Sequence, residues 1–117
     1  MLSKEKLKEL LKLKTKKGRI REGKFLLEGL RLCEEALNSN WDIESILFTT
    51  SIEEKIKGKD LFEKLQQSKA QLITVKTHDL EKLSDTVTPQ GIMCVVKIRR
   101  IQIEEMWRKN NHFILAL

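Results

Sequence analysis

The 117-residue chain has no tyrosine, one proline, two cysteines and two tryptophans, and aromatic residues make up only 5% of it. No apolar run approaches the roughly 20 residues that a membrane span needs. The N-terminus alternates leucine with lysine, so it offers no signal-peptide core, and a cytoplasmic protein is expected. Cys33 and Cys94 lie far apart on apolar stretches without a Cys-x-x-Cys pair, a pattern of reduced core residues and not of a disulfide framework. With His78 and His112 they give no finger-like spacing, so a zinc site is excluded as well. The length is that of one domain, large enough to bury a core without covalent or metal staples.

What is abundant is lysine, and it is concentrated at one end. Met1 to Lys24 holds ten Lys/Arg against three Glu, a net +7, which leaves the rest of the chain at about −1 given the total of +6. A near-neutral body carrying a basic arm suits a polyanion such as nucleic acid or an anionic membrane face. A solvated helix face accounts equally well for any single lysine.

The stretch KFLLEGLRLCEEAL, Lys24 to Leu37, organises the chain. Phe25, Leu26 and Leu27 predict a short buried strand, and Glu28-Gly29 breaks the run. Leu30, Cys33 and Leu37, with Ala36, then recur at helical spacing while Arg31, Glu34 and Glu35 face outward. Before this strand-turn-helix, Ser3 can cap a helix from Lys4 to about Leu13 with Leu7, Leu10 and Leu11 as its apolar stripe. Lys14 to Lys24, with two glycines and six Lys/Arg, has no sustained period and is expected to be a basic loop. Gly18 to Lys24 copies the spacing of a phosphate-binding loop, but Phe25 stands where Ser or Thr should hold magnesium, and a strand follows where a helix should.

Beyond it, strands alternate with helices. Ile46 to Phe48 and Leu72 to Val75 read as strands, and Ser51-Ile-Glu-Glu54 reads as a capping box. Gly58 interrupts the helix that follows, and Asp60 restarts it with Leu61, Phe62 and Leu65 on one face. Thr77 is expected to cap a short helix burying Leu80 and Leu83, with His78 in its first turn and not in a triad with Ser84 and Asp85. Leu83 to Lys97, LSDTVTPQGIMCVVK, places the only proline in a polar loop before five consecutive apolar residues. A continuous apolar strand needs cover on both faces, so the alternation predicts a small mixed, mostly parallel sheet sandwiched between helices in an α/β/α arrangement. From Arg99 to Asn111 a basic-amphipathic linker is expected. His112 to Leu117 then begins another apolar strand without polar flanks, as if a further domain starts there.

Two stretches carry a family resemblance. Lys17, Arg19, Gly23, Phe25, Glu28 and Gly29, followed by Glu35-Ala36-Leu37, form one signature, and Leu83-Ser84-Asp85 with Thr88-Pro89-Gln90-Gly91 forms a second. Together, in this order and separation, they resemble the substrate-binding domain of SpoU/TrmH-type RNA ribose 2′-O-methyltransferases. The resemblance implies the fold of kink-turn-binding ribosomal proteins, structured RNA of the ribosomal kind as partner, and S-adenosylmethionine as cofactor of a separate knotted catalytic domain through which homodimers form. Residues 1–98 would be the RNA-binding domain, and no catalytic, cofactor or metal residue carries over to it. The expected phosphate contacts are Lys14, Lys16, Lys17, Arg19, Arg21 and Lys24. Selection of base or shape would come from Glu28, Gly29, Thr86, Thr88, Pro89, Gln90 and Gly91. Glu28 could accept a hydrogen bond from a base or cap its own helix. The alternatives are a stand-alone RNA-binding module and a protein-interaction domain with a solvated basic arm.

Overall fold

The computed structural model describes residues 2–39, 41–86 and 89–98. The expected linker and terminal strand, and Thr88 of the second signature, lie outside the described residues. The elements run α1 (Lys4–Leu11), a single 3-10 turn (Lys12–Lys14), α2 (Lys16–Glu22), β1 (Lys24–Glu28), α3 (Leu30–Asn38), β2 (Ile43–Phe48), α4 (Thr50–Ile56), α5 (Asp60–Gln67), β3 (Gln71–Thr74), α6 (Thr77–Leu83) and β4 (Ile92–Lys97).

The four strands form one sheet in the order β1-β4-β2-β3. Apolar alternation along β4 builds two cores from one strand. Ile92, Cys94 and Val96 join Phe25, Leu27, Ile46 and Phe48 under α3, α4 and α5. Met93 and Val95 join Leu47 and Ile73 under α1, the 3-10 turn and α6. This is the expected three-layer sandwich, in which a central strand buried on both faces reads as an unbroken apolar run.

The sheet is mixed as expected, but parallel pairing does not predominate. Only β2 and β3 run parallel, while β4 is antiparallel to both β1 and β2. The cause is the length of the last connection. The seven-residue α6 covers only about 10 Å, and the chain turns back beside the end of β3, so β4 enters the sheet from that end. Thr49 N donating to the Gly91 carbonyl at 3.0 Å marks the meeting point.

Three local expectations change. The presumed basic loop contains α2. Thr15 Oγ1 accepts from Gly18 N at 3.0 Å to start the helix, and Gly23 closes it in the left-handed conformation at φ 67°. Ile20 alone turns toward the core, so seven residues offer no apolar repeat to detect. Helix α4 is capped by Thr49, whose hydroxyl accepts from Ile52 N, and not by Ser51, because the strand already ends in extended geometry at Thr49. Helix α6 includes Thr77 and follows an extended Lys76 without a side-chain cap. Ser3 caps α1 as expected, accepting from Lys6 N at 3.1 Å.

Cys33 and Cys94 are free and wholly buried in the same core. Cys33 donates to the Leu27 carbonyl. The neighbouring Cys94 thiol, and after that burial, push the Cys33 thiol far above its ordinary range, which keeps it protonated and inert.

Candidate nucleic-acid interface

Because β4 opposes β1 and β2, the end of β1, the end of β2 and the start of β4 gather at one edge of the sandwich. Glu28-Gly29 of the first signature and the second signature lie there, whereas Gly23 and Phe25 sit toward the opposite end of β1, beside Ile98 and Val96. Glu28, the last residue of β1, aims its carboxylate at the segment after α6. It accepts from the Ser84 hydroxyl, from Asp85 N at 3.2 Å and from the Thr86 hydroxyl at 3.0 Å. Ser84 Oγ in turn accepts from Thr86 N at 3.0 Å, closing a small turn. Hydrogen bonds to a charged acceptor are the stronger kind, so one glutamate holds three residues of the opposite loop.

The next residue explains the glycine of the first signature. Gly29 has φ 103°, and a Cβ there would stand 2.9 Å from Gln90 Oε1. That oxygen accepts from Leu30 N at 2.8 Å and so caps α3 from sixty residues away in sequence. Gln90, not Glu28, therefore caps this helix; of the two roles expected for Glu28, helix capping is corrected. The two signatures are bound to each other twice, by Glu28 with residues 84–86 and by Gln90 with Leu30.

The six cations expected at phosphates fall into two groups. Lys14 Nζ donates to the carbonyls of Lys82 at 3.1 Å and Ser84 at 3.3 Å and lies 3.5 Å from Asp85 Oδ1. Arg19 Nη1 donates to the Leu13 carbonyl at 3.1 Å, while its Nε is buried without a partner among the described residues. Lys24 Nζ sits 2.8 Å from Glu44 Oε1. Glu44 is the extra residue of a bulge in β2, which sets it outside the ladder within reach of Lys24 and Lys6. Burial alone would raise its pKa, but the hydrogen bond and charge of Lys24, with the charges of Lys6 and Lys97, outweigh that and hold the carboxyl below its usual range.

Lys16, Lys17 and Arg21 make up the second group. All three are exposed on α2, with no ion pair among the described residues. Lys16 follows Lys14 by two residues, so the first turn of α2 starts within about 7 Å of the loop that Lys14 holds. Gly18 seats that turn, since a Cβ on it would fall 1.7 Å from the Lys12 carbonyl oxygen. Helix and loop are thus fixed side by side.

Thr86 and Gln90 are exposed, and Pro89 and Gly91 are half-buried. The latter two and Gln90 border a groove of about 270 Å³ whose other side carries Thr49, Ser51, Lys55 and Thr77. None of these four belongs to the expected site. The available signal is the hydroxyl-rich run Thr49-Thr50-Ser51 directly after a strand, which only the sheet order connects to residues 89–91. His78 is exposed, and the Ser84 hydroxyl belongs to Glu28, an arrangement without a nucleophile-base pair. Among the described residues no three His, Cys, Asp or Glu gather as metal ligands.

Comparison with known proteins supplies the family. The family described as "MRM3-like substrate binding domain" matches residues 4–94. The chain is similar to rRNA methyltransferase 3A, mitochondrial, of Danio rerio, 44% identical over 77 residues covering 66% of this chain and 17% of that protein. With rRNA methyltransferase 3, mitochondrial, of Homo sapiens it shares 36% over 87 residues, covering 68% and 18%. Among solved structures, a putative TrmH-family RNA methyltransferase from Porphyromonas gingivalis superposes with a TM-score of 0.65 at 25% identity, over 86% of this chain and 37% of that one. The SpoU methyltransferase AviRb from Streptomyces viridochromogenes, in complex with AdoMet, has the same fold, with a TM-score of 0.66 at 18% identity over 83% and 36%. The chain spans less than a fifth of these two curated relatives and little more than a third of these two solved chains. With the two signatures locked together through Glu28 and Gln90 at one edge of an α/β/α sandwich, and with the match running from α1 into β4, the chain belongs to the MRM3-like substrate-binding domain family.

Proposed function

We propose that this chain is the RNA-recognition domain of a SpoU/TrmH-type ribose 2′-O-methyltransferase acting on ribosomal RNA. The observation that carries the reading is the pairing of exposed Lys16 and Lys17 with a loop that Lys14 and Glu28 hold rigid. Lys16, Lys17 and Arg21 neutralise phosphates. Lys14, Arg19 and Lys24 act from within, positioning the elements that present them. Thr86, Gln90 and the backbone around Gly29 and Gly91 face exposed bases, as proteins that read kinked or single-stranded RNA do. The acids of the loop cluster, Glu28 and Asp85, are bonded to the loop itself and to Lys14. Cofactor binding, methyl transfer and dimerisation belong to the remainder of the parent enzyme.

The test is binding of a structured ribosomal RNA fragment across a salt series. Affinity should fall steeply with salt, and replacing Lys16, Lys17 and Arg21 together by Ala should flatten the slope by about two to three units, near one for each phosphate no longer neutralised. Binding that ignores salt, or an unaltered slope in the triple variant, would remove α2 from the interface.

A further inference from the structure

The far end of the sheet carries a second groove, of about 540 Å³, within the range of small-ligand sites. One wall is Leu37, Trp41, Asp42 and Ile43, between α3 and β2; the other is the end of α5 and the turn after it, with Lys64 and Lys69. Trp41 is 41% exposed, beside exposed Asp42, Gln67 and Lys69. Its ring is nonetheless fixed, because it meets buried Phe25 edge to face with centroids 6.0 Å apart at 65°. Its backbone is held too, Trp41 N donating to the Ala36 carbonyl and Ile43 N to that of Trp41. A rigid indole can stack a ligand without the ordering cost that a mobile side chain incurs. Lys69 is exposed, and Lys64 lies only at the 4.0 Å limit of an ion pair with Glu34, so both ammonium groups can turn to another anion.

We propose that this groove is a stacking subsite for one unpaired nucleobase of the bound RNA, with Trp41 supplying the ring and Lys64 and Lys69 meeting the adjoining phosphates. An aromatic face bordered by cations is the composition of single-strand sites, where stacking is indifferent to sequence. Asp42, the one acid in the lining, can accept from an exocyclic amino group while disfavouring a phosphate beside it. The subsite also continues the proposed interface. Lys97 N donates to the Asp42 carbonyl and Ile98 N to that of Gly23, so the end of α2 and the Trp41 groove both adjoin the end of β4. From Phe25 to Glu28 is three strand steps, on the order of 10 Å, a span that a few nucleotides cover. The inference rests on the RNA-binding reading but names a site outside the signature loops.

The experiment uses the 117-residue chain with Trp107→Phe, which leaves Trp41 as its only indole, and a short single-stranded RNA with a fluorescent end label. Anisotropy of the label reads binding, and emission of Trp41 reads the groove. Saturable quenching of Trp41 along the same isotherm is expected. Trp41→Ala should weaken binding about 5- to 150-fold, the range for one stacked base, while Trp41→Phe keeps most of the affinity. Lys64→Gln with Lys69→Gln, which leaves the Trp41-Phe25 packing untouched, should reduce the salt slope by about 0.7 for each phosphate left without its lysine. Anisotropy binding with unquenched Trp41 and undiminished affinity in Trp41→Ala would overturn the subsite and leave the proposed function standing. Loss of both signals in the parent chain would overturn both. Trp41 already shielded from iodide in the free chain would mean that a protein segment occupies the groove, and would also overturn the proposal.

Discussion

The carboxylate of Glu28 accepts the hydroxyl proton of Ser84, fifty-six residues further along the chain. It also gathers Asp85 N and the Thr86 hydroxyl, so the corner after β1 and the segment after α6 form one unit. Glu28→Ala should lower stability by about 2 to 3 kcal/mol, because it leaves three donors without their charged acceptor. That is a fall in Tm on the order of 10 °C for a domain of this size. Thermal melting followed by circular dichroism checks it, and a Tm within a degree of the parent would mean that the clamp contributes nothing to the fold.

Gly18 should resist a change that ordinarily helps a helix. Alanine in place of an interior glycine usually gains up to about 1 kcal/mol, yet here the new methyl would collide with the Lys12 carbonyl oxygen. That carbonyl belongs to the backbone and cannot swing aside, so α2 must tilt away from the 3-10 turn. A loss of about 1 to 3 kcal/mol is expected in urea unfolding, typical of overpacking, together with weaker RNA binding. A stabilised Gly18→Ala would contradict the close approach.

Gln90 offers a way to separate capping from recognition. Gln90→Ala removes the acceptor for Leu30 N and should cost about 1 kcal/mol, as loss of a helix cap does. Gln90→Glu keeps an acceptor at the start of α3 and adds a favourable negative charge, so stability should hold or rise slightly. It lacks the amide NH2. If that group reads a base, Gln90→Glu will bind all RNAs with less discrimination at unchanged stability. Retained discrimination would confine Gln90 to the cap.

The pairing of Glu44 with Lys24 should leave a mark on acid stability. The folded carboxyl ionises more readily than its unfolded counterpart, whose ordinary value is 4.5. The unfolded chain therefore takes up the proton first as pH falls. The stabilisation is complete above that ordinary value and is lost as pH drops through the depressed folded one. Melting curves of the parent and of Glu44→Gln should differ most at neutral pH and converge in acid. A difference that stays constant into strong acid would show that Glu44 acts by packing and not by charge.

The sequence makes the strands legible because each is an apolar run short enough to be nothing else, and β4 announces its central place by having no polar face. Strand direction is not written in such runs. It follows from how far α6 and the residues after it travel, which is a matter of lengths in space. Helix α2 is hidden for a different reason, since Ile20 is its single inward residue and its identity rests on two caps, Thr15 and Gly23, that sit among lysines and arginines. At the candidate site the signatures point to Glu28, Gly29, Ser84, Asp85 and Gln90, which the fold does bring together, while Gly23 and Phe25 lie toward the other end of β1. Their division of labour is not legible, because only proximity across fifty-six or sixty residues reveals that Glu28 and Gln90 are occupied by the chain itself.

β4 comes last among the strands of the described residues, yet lies between β1 and β2 in space. A chain emerging in order can form its helices and the parallel β2-β3 pair early, but β1 finds its neighbour only after Lys97 is made. Both cores close around β4 in that same step, so the rate-limiting event should be an insertion of high contact order late in folding. Until then the apolar edges of β1 and β2 stand open, and during synthesis this is the interval in which the domain most needs protection from aggregation.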